Sequence, residues 1–141
     1  MSAVPGPVLL VVDDDAAVRS SLKFALELEG LEVRVYESGA QVLADRDLGA
    51  ANCLVVDQCM PGMSGIELVE ALRGRNLDIP TILITARPSG KLRSSAGGIG
   101  IRWVLEKPLA GDALLDCIRR AVGSARGPRG PEANGPLRKT P

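Results

Sequence analysis

Five polar side chains follow short apolar runs in this chain, and together they have the chemistry to accept a phosphoryl group. Asp13 and Asp14 close the run 8–12, Asp57 closes 54–56, Thr85 closes 82–84, and Lys107 follows 103–106. The three carboxylates offer the hard oxygen donors that Mg²⁺ prefers, with Mn²⁺ as a substitute and with water and substrate phosphate completing the octahedron. Without a cation such a cluster repels itself, so at least one carboxyl pKa should rise. A carboxylate is also a nucleophile toward phosphorus and forms an acyl phosphate. The transferred group spreads its charge over three oxygens, which the cation, the Thr85 hydroxyl and the Lys107 ammonium can divide between them. The tight turn at Pro61 and Gly62 would bring backbone N–H groups close as well. Each residue alone has an ordinary explanation as a cap, a backbone partner or a surface charge. Their occurrence at four successive strand ends argues for a site.

Gathering these residues requires a parallel sheet. Short β-branched runs between polar residues read as strands buried on both faces, and in an open α/β sheet the carboxyl ends of the strands line the functional crevice. Helical patterns fill the gaps, as βαβ crossovers demand. Asp15 can cap a helix over 16–29 whose Val18, Leu22, Ala25 and Leu26 share a face, with Gly30 at the C′ position. Residues 31–36 alternate with period two, as an edge strand does. Ser38 can cap a second helix that turns Val42 and Leu43 inward. A third helix is expected over 65–73, carrying Ile66, Leu68, Val69 and Leu72, and a last one over 111–122, carrying Ala113, Leu114, Cys117, Ile118 and Ala121. Between Pro88 and Ile101, Gly90, Gly97, Gly98 and Gly100 interrupt any periodicity. The fourth helix is therefore expected to be short, frayed or mobile, since glycine costs roughly 1 kcal/mol against alanine inside a helix.

Composition narrows the function classes. The 141 residues make one ordinary domain, and with 45% hydrophobic but only 2% aromatic residues the core must be aliphatic. Base-stacking platforms are therefore not expected. The absence of histidine removes Ser-His-Asp and Cys-His nucleophiles, histidine metal sites and histidine pH switches. Seventeen basic and 17 acidic residues cancel, and no broad basic footprint supports nucleic-acid binding. Cys53, Cys59 and Cys117 lack zinc-type spacing and fit a reduced, cytoplasmic setting. No apolar run approaches the roughly 20 residues of a membrane span, and the N-terminus does not read as a secretory signal. The expected organisation is an N-terminal extension over 1–7, a domain over 8–123, and a disordered Gly/Pro/Arg tail over 124–141.

The segments Val-Val-Asp-Asp-Asp at 11–15, Leu-Val-Val-Asp-Gln-Cys-Met-Pro-Gly-Met-Ser-Gly at 54–65, Ile-Thr-Ala at 84–86 and Glu-Lys-Pro at 106–108 resemble a bacterial two-component response-regulator receiver domain. The resemblance covers about residues 8–122. It implies a flavodoxin-like, doubly wound (βα)5 fold with a five-stranded parallel sheet in order 2-1-3-4-5. It implies that Asp57 accepts a phosphoryl group from a phosphohistidine on a sensor histidine kinase or phosphotransfer protein. Asp14 would bind Mg²⁺ directly and Asp13 directly or through water, with Asp57 and the main-chain carbonyl of Cys59 as further ligands. Thr85 and Lys107 would bind the phosphate, and the bond between Lys107 and Pro108 would be cis.

Two features depart from the family pattern. Three residues before its lysine the family usually carries Tyr or Phe; here Val104 stands there, and Trp103, one place earlier, must point to the opposite face. With the glycines of 88–101 this suggests switching by the ordering of a loose segment. Cys59, two residues past Asp57, is neither acid nor amide and is not suited to orient attacking water, so a long-lived phosphoaspartate is expected. The reading is a stand-alone phosphoacceptor that signals through an unidentified downstream protein, with no enzymatic activity beyond its own phosphotransfer and slow hydrolysis. Alternatives are the receiver half of a longer DNA-binding regulator and an interaction module independent of phosphorylation. A phosphatase of the aspartyl-phosphate type would want an acid where Cys59 stands.

Overall fold

A computed structural model describes residues 6–109 and 111–126. Strand and helix alternate throughout: β1 (Val8–Val12), α1 (Ala16–Glu27), β2 (Glu32–Tyr36), α2 (Gly39–Ala44), β3 (Cys53–Asp57), α3 (Gly65–Gly74), β4 (Thr81–Thr85), α4 (Gly90–Gly98), β5 (Trp103–Glu106) and α5 (Gly111–Arg126). All strand pairs are parallel, in the order β2-β1-β3-β4-β5, which is the flavodoxin-like order that the sequence implies. Among the described residues no helix is long and apolar enough to cross a membrane.

The period of two along a strand divides the aliphatic residues between two cores. Leu9, Val11, Cys53, Val55, Ile82 and Ile84 meet Leu26 of α1 and Leu114, Ile118 and Ala121 of α5. Leu10, Val12, Leu54, Val56 and Leu83 meet Val42 of α2, Leu68, Val69 and Leu72 of α3, and Ala96 of α4. β3 and β4 are buried along their whole length, as the uninterrupted apolar runs imply. β5 corrects that reading: it is only half-buried, because it is an edge strand with a single neighbour.

Local signals set the helix limits. Asp15 accepts from Ala17 N–H and Val18 N–H, Ser38 from Gln41 N–H, and Ser64 and Glu67 form a reciprocal capping box. Three helices close alike. The N–H of Leu31, Leu77 and Ile101 reaches back to the carbonyl of Leu26, Leu72 and Ala96, over a left-handed Gly30, Asn76 or Gly100.

The expectation of a frayed fourth helix is corrected. α4 runs regularly for 9 residues, with Ser89 accepting from Leu92 N–H and Gly100 forming the stop. Its glycines stand at its ends, where caps decide stability rather than interior propensity, and only Ala96 is buried. α5 passes the expected boundary at Gly123 and runs to Arg126, continuing through Ala125 and Arg126, which are good helix formers. Residues 1–5 of the expected extension and 127–141 of the expected tail lie outside the described residues.

Gly65 ties the fold to the acid at the end of β3. A Cβ there would stand 2.7 Å from Leu83 Cδ1 and 2.9 Å from the Asp57 carbonyl oxygen, and the backbone oxygen has nowhere to move. Gly65→Ala should cost about 2 kcal/mol in urea unfolding. Gly74→Ala, with open space around it, should be neutral or mildly stabilising. Equal midpoints for the two variants would refute the contact.

Candidate functional site

Parallel register brings the polar ends together. Val12 pairs with Val56, so Asp13 and Asp57 leave the sheet side by side. Asp57 pairs with Ile84 and Thr85 with Glu106, which places Thr85 and Lys107 one step beyond on the neighbouring strands.

Asp13 and Asp57 are only 2% and 6% exposed. Lys107 Nζ, reaching across 94 and 50 residues of chain, donates to Asp13 Oδ2 and Asp57 Oδ2 at 3.2 Å each. Asp13 Oδ1 accepts from Asp15 N–H at 2.9 Å, and Asp57 Oδ1 accepts from Cys59 N–H at 3.3 Å. Asp14 is exposed, yet one of its oxygens lies with one from each of Asp13 and Asp57 in a set all within 4.8 Å of one another. Three carboxylates and one ammonium leave two uncompensated negative charges, the charge of one divalent cation. The donors are oxygens only, which suits Mg²⁺. Among the described residues the Cys59 carbonyl accepts no hydrogen bond, which leaves it free to serve as a ligand.

Burial, followed by the neighbouring Asp13 charge, raises the Asp57 pKa against the pull of Lys107. Burial also works against the Lys107 ammonium, but its two carboxylate partners outweigh it and its pKa is raised. The expectation that one carboxyl of the cluster shifts upward is met at Asp57.

Thr85 is buried, and its hydroxyl oxygen accepts from Arg87 N–H at 3.1 Å, so its own O–H remains available to donate. Lys107 N–H donates to the Thr85 carbonyl at 2.9 Å, and the peptide between Lys107 and Pro108 is cis. The turn at Pro61 and Gly62 is tight. Gly62 has φ 84°, and Met63 N–H is used within the turn on the Pro61 carbonyl. The backbone donor that reaches Asp57 is that of Cys59.

Sequence reasoning missed Arg19. Its Nη1 donates to the Asp13 main-chain carbonyl at 2.6 Å. A cation four residues past the helix cap was the available signal, and it looked like any surface charge. Val104 and Trp103 do face opposite layers: Val104 packs beside α4, while Trp103 packs on the α1 and α5 side with the Arg102 guanidinium 5.0 Å from its ring centroid.

Residues 9–119 match the response regulator receiver domain family. Transcriptional regulatory protein FixJ of Azorhizobium caulinodans is 38% identical over 116 residues, covering 80% of this chain and 54% of FixJ. The C4-dicarboxylate transport transcriptional regulatory protein DctD of Pseudomonas aeruginosa is 37% identical over 114 residues, covering 81% of this chain and 25% of DctD. Among solved structures, chemotaxis protein CheY4 of Vibrio cholerae aligns with a TM-score of 0.77 at 26% identity, over 82% of this chain and 98% of that one. The chain thus spans about half or less of these two curated relatives and nearly all of CheY4.

The Asp57 shift has a stability consequence. Folding raises its pKa above 3.8, so the folded state holds this proton more tightly, and stability contributed by this carboxyl falls as pH rises through that window. Asp57→Asn removes the buried charge and should raise stability by about 1 kcal/mol at neutral pH in EDTA. The gain should shrink as pH falls well below the unfolded carboxyl value of about 3.9, toward about pH 3, where the wild-type carboxyl is protonated in both states. Urea unfolding at the two pH values checks this, and a lowered midpoint for the variant at neutral pH would contradict it.

Proposed function

The chain belongs to the response regulator receiver domain family, and we propose that it acts as the phosphoacceptor of a His-to-Asp phosphorelay, with Asp57 as the acceptor. The observation that carries this is the Lys107 ammonium held between Asp13 and Asp57, with Asp14 beside them and two negative charges uncompensated. Asp13, Asp14, Asp57 and the Cys59 carbonyl would hold Mg²⁺, or Mn²⁺ in its place. When bound, the cation neutralises the acids and draws charge from a phosphoryl oxygen.

A carboxylate oxygen of Asp57 attacks phosphorus; the new O–P bond forms as the N–P bond of a phosphohistidine breaks, and the imidazole leaves with its electron pair. Lys107 already lies against Asp57 and neutralises charge on the incoming group. The Thr85 hydroxyl donates to a second phosphoryl oxygen. Catalysis here is positioning and charge stabilisation, which a preformed cluster supplies without reorganisation. The donor is a sensor histidine kinase or phosphotransfer protein in the cytoplasm, and output passes to a protein partner. A second reading is supported by the relatives: FixJ and DctD are transcriptional regulators that extend well beyond the matched region. On that reading this chain is the receiver part of a DNA-binding regulator.

Incubation with acetyl phosphate and Mg²⁺, followed by intact mass, should add one phosphoryl group to the wild type and none to Asp57→Asn. An equal gain in both would exclude Asp57 as the acceptor, and no gain in either would favour a phosphorylation-independent module. Once acetyl phosphate is removed, the adduct should persist, because Cys59 offers no carboxylate to orient water. Cys59→Glu should shorten its lifetime at least several-fold. A wild-type adduct lost as fast as the variant's would refute the role given to Cys59.

A further inference from the structure

One cation beside the acids is left over by phosphate chemistry. Arg19, the fourth residue of α1, has a side chain only 15% exposed. Its Nη1 donates to the Asp13 carbonyl at 2.6 Å, and its Nη2 lies 3.9 Å from Glu37 Oε2. A positive charge next to a cation site repels the cation, so its place there calls for a second effect that offsets the repulsion.

The peptide it holds explains what that is. In an extended strand, side chains on adjacent residues point to opposite faces. Asp13 and Asp14 can therefore meet one ion only if the backbone turns between them. Asp13 is held at its N–H by the Tyr36 carbonyl at 3.2 Å, and at its carboxylate by Asp15 N–H and Lys107. Asp14 is exposed, so its direction follows from the peptide that precedes it. The carbonyl of that peptide is the one bound by Arg19.

We infer that Arg19 is a positioning residue: it holds the peptide between Asp13 and Asp14 in the turned orientation that brings both carboxylates to one cation, while Glu37 offsets its charge. This rests on the reading of Asp13, Asp14 and Asp57 as the metal site. The two effects of Arg19 have opposite signs, which makes them separable. Loss of its charge alone would tighten Mg²⁺ binding; loss of its grip on the backbone would weaken it.

Calorimetric titration of Mg²⁺ into the full, EDTA-treated and dialysed chain tests this without any phosphorylation. Arg19→Met should bind Mg²⁺ roughly tenfold more weakly than wild type. Arg19→Lys, which keeps the charge and one donor, should recover part of the loss. Circular dichroism in EDTA reports whether Arg19→Met is folded; were it not, Arg19→Lys alone decides, and affinity equal to wild type overturns the inference. A folded Arg19→Met that binds as tightly as wild type, or more tightly, also overturns it. Wild type that binds no Mg²⁺, with Asp14→Asn indistinguishable from it, overturns the metal site itself and the inference with it.

Discussion

Lys107 lies 3.2 Å from both Asp13 and Asp57, and the rest of the architecture follows from having to put two nearly buried carboxylates beside one ammonium. Burying like charges is costly unless they are paired. One lysine cannot neutralise three acids, so the cluster keeps a deficit that a divalent cation or a rearrangement of charge can relieve. The Asp57 pKa is raised first by its burial and then by the neighbouring Asp13 charge. A site left short of positive charge responds strongly to what enters it, which is useful in a switch.

The sheet makes this possible because parallel strands all end on one edge. Two largely aliphatic layers hold the strands in register. The loop after β3 is then drawn in by Gln58, whose N–H bonds the Ile84 carbonyl at 2.8 Å and whose Oε1 accepts from Ile66 N–H at 3.0 Å. Gly65 allows α3 to start against the Asp57 carbonyl. On the other side, Arg19 and the Asp15 cap turn the chain sharply after Asp13. Asp57 is thus held through its own carbonyl and by Cys59 N–H, while its Oδ2 meets the Lys107 ammonium.

The β5 edge of the sheet divides its side chains between the two layers. Val104 on β5 packs into the layer with Ala96 and Ile101, whereas Trp103 belongs to the opposite layer. A one-residue offset on a strand cannot be repaired by a rotamer change.

Much of this was legible in the sequence because it depends on local rules. The apolar runs, the capping residues Asp15 and Ser38 and the terminating Gly30 act within a few residues of themselves, and alternation along a strand assigns each side chain to a layer. The strand-end acids, Thr85 and Lys107 could be picked out for the same reason. Three things needed the tertiary structure. α4 looked too rich in glycine, yet its glycines fall at its ends, where Ser89 and Gly100 cap it. β5 reads as a mostly apolar strand, but its burial depends on having a neighbour on each side, and it has one. Arg19 carries only the weak signal of a cation four residues past a helix cap, because its partner is a carbonyl oxygen, and every residue has one of those. Residue types are written in the chain, but which backbone atom a side chain meets is decided only when strand register and helix packing place the two together.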